Sequence, residues 1–503
     1  RVWSTMYSCL RGRMRAPRLS SARWRRIRPR PLHLRIFSSS VREGTKLEQG
    51  GEASSGSQEA SSVTDSDKKD TQPLDRTLMK HIGILAGSQF LLNMGFSQMV
   101  PVMPLFAAQM GGHLGATGVG LILSAPSAAT LLLNVPLGRL CDTIGRKPLM
   151  WVGTALTAIG TTATGFASSL TTLLACRLIV GAGSASSMTG SGAYISDLSD
   201  RAPQHRAKIM GVHQALVGSV WVVGPAVGGW LAETYGYRNS FLIAGVCAAA
   251  CSIGYMNLPE SLTKPPSEKA TSNTSTPAAS AATQAENPDT TTSIKRPVDQ
   301  GWWDDVKSIL ANRDQRALIA LACELPIRFS CFTTAVALHA SHVAGAGPKE
   351  IGMLLTALAL SQGIGMPLGS WLADKTAGAR KAMIVPAGLV SSVAFAALSV
   401  ASYEQMIALM ALQGFCGGFY RPALGAFTAE VTPSDKRGQA LSLQRQAGSS
   451  LSLVGPITMG LISDMTSCDT AIMVGASMMV GCHLSYAVMA SNDSCSKEKT
   501  TSS

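Results

Sequence analysis

The chain contains twelve apolar segments separated by short polar loops, and each segment is long enough to cross a bilayer. They lie at residues 82–108, 116–137, 148–167, 170–195, 207–231, 239–258, 316–343, 350–372, 381–400, 404–428, 438–462 and 470–490. Only 15% of the residues are charged, and the 49 glycines suit close packing of membrane helices. We therefore expect an all-α polytopic membrane protein with twelve transmembrane helices.

The cations of the short loops are concentrated on one side of the predicted membrane. They follow the second, fourth, eighth and tenth segments, whereas the opposite loops hold few. These cations are Arg139, Arg146, Lys147, Arg201, Arg206, Lys208, Lys375, Arg380, Lys381, Lys436 and Arg437. By the positive-inside rule, both termini lie on this side, which we call the inner side.

The net charge of +13 arises mostly from residues 1–42, which hold twelve arginines and no acidic residue. A tail rich in arginine and serine and poor in acids is typical of organelle transit peptides. We expect mitochondrial targeting, with a plastid signal or a basic tail without targeting function as alternatives; Met6 is a candidate initiation residue. Because the charge is confined to this tail, we expect no nucleic-acid partner.

Composition divides the chain into six parts. Residues 43–75 are polar and lack aromatic residues, and residues 265–292 are rich in Ser, Thr, Ala and Pro, as in linkers. The expected parts are a transit peptide (1–42), a disordered segment (43–78), a six-helix bundle (79–258), a linker (259–315), a second six-helix bundle (316–490) and a polar tail (491–503).

The loop after the second segment reads Gly138-Arg-Leu-Cys-Asp-Thr-Ile-Gly-Arg-Lys-Pro148. Gly145 suits a tight turn, and Asp142 can pair with the cations Arg146 and Lys147. We expect a gate that latches helix ends; the alternative is that the cations only set the orientation. A weaker copy after the eighth segment contains Asp374, Arg380 and Lys381.

The fourth segment carries Arg177, followed by Gly181 and Gly183. An arginine inside an apolar segment costs about 2.5–3.5 kcal/mol on insertion scales, so it should face a cavity or a partner. The alternative is that its guanidinium reaches the end of the membrane span.

The fifth segment contains Gly224-Pro225 and Gly228-Gly229, where the proline bends the helix and the glycines permit close packing. Gly455-Pro456 repeats this pattern in the eleventh segment.

These three patterns resemble the motifs of the major facilitator superfamily, with Thr143 and Val220 departing from the usual residues. The chain looks closest to the twelve-span drug:proton antiporters of the tetracycline-efflux type. The resemblance implies alternating access between two six-helix halves, a link of Arg177 to proton coupling, and a proton gradient as the energy source.

An internal repeat supports the same architecture independently of the motifs. Pro136-Leu-Gly138 recurs as Pro367-Leu-Gly369, and Asp197 has its counterpart in Glu430. A parallel six-plus-six repeat places the substrate between the two halves.

Polar residues inside the apolar segments are the candidates for function. Glu324 and Arg328 lie one helical turn apart in the seventh segment and form either a proton carrier with its partner or a self-neutralising pair. The coupling candidates are Arg177, Asp197, Glu324 and Arg328. The candidates for the substrate cavity are Asn93, Gln98, His213, Gln214, Phe419, Tyr420, Arg421 and Arg445.

We predict a secondary active transporter that moves a small molecule by proton-coupled antiport. The alternatives are an organelle carrier for a small organic anion, which the arginines would suit, and a non-transporting sensor or scaffold. The expected partners are the substrate, protons and the lipid bilayer. We expect a monomer in an organelle inner membrane, without enzymatic activity, cofactor or metal site, because no phosphate loop, metal cluster or nucleophile motif occurs.

Residues 6–42 fused to a fluorescent protein should enter mitochondria, because their arginines supply the positive charge of a presequence. Fluorescence microscopy against mitochondrial and plastid markers tests this, with an Arg-to-Gln version of the tail as the control. Cytosolic fluorescence of the unmodified fusion would contradict the targeting prediction.

Overall fold

The computed structural model describes residues 76–111, 114–261, 306–375, 380–432 and 437–490. The predicted transit peptide, nearly all of the predicted disordered segment, most of the linker and the polar tail lie outside these ranges. Within them the chain forms helices and no β-strand, which confirms the all-α prediction.

Six crossings, α1 to α6, form the N-terminal half. Their bounds are Arg76–Met99 and Val102–Gly111 (α1), Gly115–Ile144 (α2), Arg146–Phe166 (α3), Leu170–Asp200 (α4), and Arg206–Met256, in which 206–235 is α5 and 237–256 is α6. The first crossing is bent by 50° beside Pro101, whose missing N–H and fixed φ interrupt the predicted continuous segment. Gly236, with φ 84°, separates α5 from α6.

Six further crossings form the C-terminal half. Their bounds are Arg313–Ala322 (α7a), Glu324–Cys331 (α7b), Ala337–Ala344 (α7c), Pro348–Lys375 (α8), Arg380–Ala397 (α9), Tyr403–Val431 (α10), Arg437–Met465 (α11) and Cys468–Met489 (α12). A π-helical turn, Phe332–Val336, joins α7b to α7c. Pro326 cannot donate to the carbonyl of Ala322, so the helix breaks at Cys323, directly before Glu324.

Seven described helices are long and apolar enough to cross a membrane, and the bent pair of α1 makes an eighth. One of the seven, Ile209–Met256, has 48 residues. At about 1.5 Å per residue it is more than twice the roughly 30 Å of a hydrocarbon core, so it makes two crossings. The remaining helices, α3, α10 and α11, are less apolar, and each coincides with a predicted segment.

Glycines in α4 explain how this helix packs inside the N-terminal half. A Cβ atom at Gly181 would overlap the backbone of Pro126 in α2, and one at Gly183 would lie 2.5 Å from the carbonyl oxygen of Gly153 in α3. The two glycines that follow Arg177 therefore allow α2 and α3 to approach the backbone of α4 closely.

The two halves meet through α2 against α11 and through α5 against α8. At each contact, a glycine of one helix lies against the backbone of the other, with no room for a Cβ atom. The contacting residues are Gly120 with Pro456, Gly460 with Ala116, Gly352 with Pro225, and Gly229 with Pro348. In the predicted topology, these contacts lie towards the outer side.

Towards the inner side, glycines of the same helices face open space. No atom lies within 4 Å of a Cβ built on Gly138 of α2, Gly211 and Gly218 of α5, or Gly363 of α8. In the predicted topology, the halves therefore touch near the outer side and leave space beside these inner glycines, as expected of an inward-facing arrangement.

Gly183→Ala should lower the melting temperature of the purified protein by several degrees. The added methyl group would overlap the α3 backbone, and overpacking typically costs about 1–3 kcal/mol. Gly192→Ala in the same helix is the matched control: its Cβ meets no atom within 4 Å, and alanine favours the helix by up to about 1 kcal/mol. Equal melting temperatures for the two variants would contradict this packing.

Candidate functional site

Arg146 connects three helix ends at the inner side of the N-terminal half. Its Nε donates to Asp197 Oδ2 of α4 at 3.1 Å, and its Nη1 lies 3.5 Å from Asp142 Oδ1 of α2. The same Nη1 donates to the carbonyl oxygen of Cys141 at 3.1 Å. The structure thus brings together three predicted residues, with Asp197 as the nearer carboxylate.

Glu260, which sequence reasoning missed, caps the helix that follows this loop. Its carboxylate accepts from the backbone N–H groups of Arg146, at 2.9 Å, and Lys147, at 3.1 Å. A negative charge at a helix N-terminus is stabilised by the unpaired N–H groups there. The preceding Gly145 has φ 114°, and a Cβ on it would lie 2.6 Å from Glu260 Oε2, so only glycine fits.

Ser261 adds a further contact to the same cluster, since its hydroxyl donates to Asp197 Oδ2 at 2.6 Å. The chain leaving α6 is therefore fastened to the ends of α3 and α4. No local sequence pattern predicts this contact, because Glu260 lies 114 residues from Arg146 in the chain.

The C-terminal half has an equivalent arrangement. Arg380 at the start of α9 pairs with Glu430 at the end of α10, as Arg146 pairs with Asp197. Lys381 Nζ donates to the carbonyl oxygen of Ala490 at 2.9 Å, and Asp374 is exposed. The internal repeat is thus a repeat of contacts as well as of residues.

A second cluster lies buried in the C-terminal half, at the break in the seventh crossing. Arg328 Nη2 donates to Glu324 Oε1, and the hydroxyl of Tyr420 in α10 donates to Glu324 Oε2 at 3.1 Å. Glu324 is 3% exposed, Arg328 6% and Tyr420 2%. Both carboxylate oxygens are satisfied without water, so the helical pair predicted from the sequence acquires a third member from another crossing.

Two further charged or titratable side chains surround this cluster. His483 of α12 is fully buried, its Nδ1 bonds the carbonyl oxygen of Met479 at 2.8 Å, and its ring lies edge-on to Tyr420 at 5.8 Å. Arg421 follows Tyr420 and is half-buried. Both act electrostatically on Glu324. His483 was not among the predicted residues, although a histidine inside an apolar segment meets the criterion that selected the others.

Arg177 lies inside the N-terminal half and is 5% exposed. Its Nη2 donates to the hydroxyl of Thr164 in α3 at 2.6 Å, and that hydroxyl donates to the carbonyl oxygen of Gly160 at 2.8 Å. Among the described contacts, none joins Arg177 to the Glu324 cluster. The predicted coupling residues therefore occupy separate places: Arg177 between α3 and α4, Asp197 beside Arg146 at the helix ends, and Glu324 with Arg328 in the other half.

Predicted cavity residues of the N-terminal half divide into two groups. His213 Nε2 lies 3.0 Å from Gln89 Oε1, which joins α5 to α1, and Asn93 Nδ2 donates to the Gln89 carbonyl oxygen at 2.8 Å. Gln98 instead is 1% exposed, and its Nε2 lies 3.4 Å from the carbonyl oxygen of Ser240. Gln98 thus belongs to the helix packing, and Gln89 is a polar residue that the sequence prediction omitted.

The remaining predicted cavity residues do not form one cluster. Gln214 and Arg445 are exposed. Phe419 stacks on Phe415 with ring centroids 6.2 Å apart, and the backbone of both residues lies against glycines of α8. These two phenylalanines therefore lie in the contact of α10 with α8.

The Gly-Pro patterns of α5 and α11 have equivalent packing roles. Gly224 lies against Ser97 of α1, and Gly455 lies against Ser330 of α7b. Gly228 lies against the backbone of Gln98, while Pro225 and Pro456 take part in the contacts between the halves. The described residues contain no group of three or more His, Cys, Asp or Glu side chains arranged to hold a metal ion.

The family model described as Major Facilitator Superfamily matches residues 85–323 and 318–494, most of the chain. The chain belongs to the major facilitator superfamily. The two matched ranges correspond to the two six-helix halves of the structure.

Curated relatives include bacterial drug-resistance proteins. Quinolone resistance protein NorA of Staphylococcus aureus (strain N315) is 28% identical over 167 residues, 33% of this chain and 42% of NorA. Multidrug resistance protein 1 of Bacillus subtilis (strain 168) is 26% identical over 177 residues, 35% of this chain and 44% of that protein. The chain thus spans less than half the length of either relative.

Solved structures share the fold over most of the chain. A bacterial homologue of the human lysosomal transporter Spinster, in an inward-facing and unoccupied conformation, aligns with a TM-score of 0.60 and 15% identity, covering 84% of this chain and 97% of that chain. The nucleoside transporter NupG aligns with a TM-score of 0.62 and 11% identity, covering 82% and 99%.

Arg328→Met should strongly destabilise the protein at pH 8, by about 3–5 kcal/mol, because it leaves the buried carboxylate of Glu324 without its counter-charge. Thermal unfolding of the purified protein measures this effect. Adding Glu324→Gln should restore most of the loss, since a neutral amide can still accept from Tyr420. An Arg328→Met variant as stable as the wild type would show that the ion pair is not needed.

Proposed function

We propose that this protein is a proton-coupled antiporter that exports a small molecule by alternating access, and that Glu324 carries the proton. The observation behind this proposal is the fully buried carboxylate of Glu324, bound by Arg328 and Tyr420 at a helix break. Ionisable residues are costly inside a membrane and usually mark ion pathways.

In the proposed cycle, the charge of Glu324 differs between the two conformations. In the inward-facing state Glu324 is ionised, paired with Arg328, and the substrate enters from the inner side. After the halves rock, the substrate leaves on the outer side and a proton neutralises Glu324, which weakens its attraction to Arg328. Return to the inward-facing state releases the proton inside.

In this proposal, the inner contacts of Arg146 and Arg380 hold helix ends together within each half and do not bind the substrate. Each links the end of one crossing to a carboxylate of another crossing of the same half. These pairs would keep each half rigid while the halves rotate against one another. Arg177, bound to Thr164, would support coupling from within the N-terminal half.

Export is supported by the relatives, whose names denote resistance to quinolones or to several drugs. The Gly224-Pro225 pattern in α5, which resembles the signature of antiporters, points in the same direction. We propose a transporter rather than an enzyme, acting as a monomer. The proposal of an organelle inner membrane rests only on the composition of residues 1–42.

A second candidate is a carrier for a small organic anion. The buried cluster has one carboxylate, Glu324, and two guanidinium groups act on it. Arg328 binds it directly, and Arg421 acts on it electrostatically. This excess of positive charge would favour the carboxylate of a substrate beside Arg421.

Reconstituted proteoliposomes with an imposed pH gradient distinguish the two candidates. A panel of lipophilic cations and organic anions is offered, and uptake is measured for wild type, Glu324→Gln and Arg177→Ala. The antiporter should move cations in the direction opposite to proton flow. Glu324→Gln should reduce that movement to the level of empty vesicles, because its amide cannot release a proton.

Glu404→Gln is the control, since Glu404 is exposed at the start of α10 and should leave transport unchanged. Anion exchange at a rate that depends neither on the pH gradient nor on Glu324→Gln would refute the proton-coupled antiporter and favour the anion carrier.

A further inference from the structure

Asp464, near the end of α11, binds the start of α2 in the other half of the molecule. Its Oδ1 accepts from the backbone N–H of Ala116 at 2.8 Å. Its Oδ2 accepts from the backbone N–H of Thr117 at 2.8 Å and from the hydroxyl of Thr117 at 2.6 Å. One carboxylate therefore makes three hydrogen bonds across the interface between the halves.

This carboxylate supplies a helix cap that α2 does not provide for itself. Leu114 precedes the helix and makes no side-chain cap. The unpaired N–H groups of a helix N-terminus favour a negative charge. Gly115 has φ 50°, and a Cβ on it would lie 2.5 Å from Asp464 Oδ1. A glycine at position 115 is therefore needed for the carboxylate to reach the start of α2.

Among the described residues, this contact exists in one of two positions that the internal repeat makes equivalent. Asp464 lies nine residues after Gly455, and its counterpart, nine residues after Gly224, is Glu233. The helix packed against α5 at this end is α8, which begins at Pro348 and so lacks the first N–H.

The start of α8 is also capped from within its own half. Glu350 Oε2 accepts from the backbone N–H of Gly347 at 2.9 Å. Another carboxylate at this end, that of Asp469 in α12, contacts the imidazole of His339 in α7c, which belongs to the same half. The glycine contacts between halves are thus symmetric, whereas the charged contact is not.

We propose that Asp464 is a latch that stabilises the closed outer gate and must release α2 before the protein can open outward. This inference rests on the proposed alternating access. Opening separates α2 from α11, and the released N–H groups and carboxylate become hydrated, because Asp464 is exposed. The latch therefore biases the equilibrium between the two conformations without locking it.

Distances between spin labels on the outer loops test this latch. The labels are placed on the exposed residues Ser168, between α3 and α4, and Glu404, at the start of α10, in a cysteine-free background in lipid nanodiscs. Asp464→Asn should raise the ratio of outward-open to inward-facing molecules by about two- to fivefold, because the amide keeps one acceptor oxygen but loses the negative charge at the helix N-terminus. Thr117→Val removes one of the three bonds and should shift the ratio less, in the same direction.

Glu233→Gln is the matched control, because it removes the same charge at the equivalent position, where no cap is formed. An unchanged ratio in Asp464→Asn, or an equal shift in Glu233→Gln, would overturn the latch. The measurement needs neither substrate nor proton gradient. Failure of the transport assay would therefore leave this result intact, and failure of the latch would leave the role of Glu324 standing.

Discussion

Close approach of helix backbones is the constraint on which this structure depends. At the outer side, α2 meets α11 and α5 meets α8 at glycines that leave no space for a side chain, and inside the N-terminal half Gly181 and Gly183 let α4 approach two neighbours. In a lipid environment there is little hydrophobic gain from helix association, so packing distance and polar contacts decide which helices stay together. The glycines thereby determine where the halves can touch.

Charged groups inside this packing follow a second constraint, because each needs a partner. Glu324 is bound by Arg328 and Tyr420, and Arg177 is bound by Thr164. The contrast between them is chemical. A carboxylate can take up a proton and become neutral, whereas a guanidinium stays protonated in proteins. This difference makes Glu324 the stronger candidate for proton coupling.

The two halves repeat their packing but not all of their charges. Arg146 with Asp197 and Arg380 with Glu430 are equivalent, and so are Gly224 and Gly455. Glu260 caps α3 in the N-terminal half, and Asp464 caps α2 across the interface. In the proposed cycle, symmetric packing would let the halves rock about one axis, and asymmetric charges would give the inward-facing and outward-open states different stabilities.

The sequence by itself determined the helical class, the positions of the crossings, the repeat and the residues of the inner loop. These follow from short-range properties: runs of apolar residues, glycine spacing and the side on which cations lie. Only the tertiary structure decided that Glu260, Gln89, His483 and Asp464 matter, and that Gln98 belongs to the packing. Their partners lie in other crossings, and the hydrogen bonds that define them arise only when those crossings are brought together.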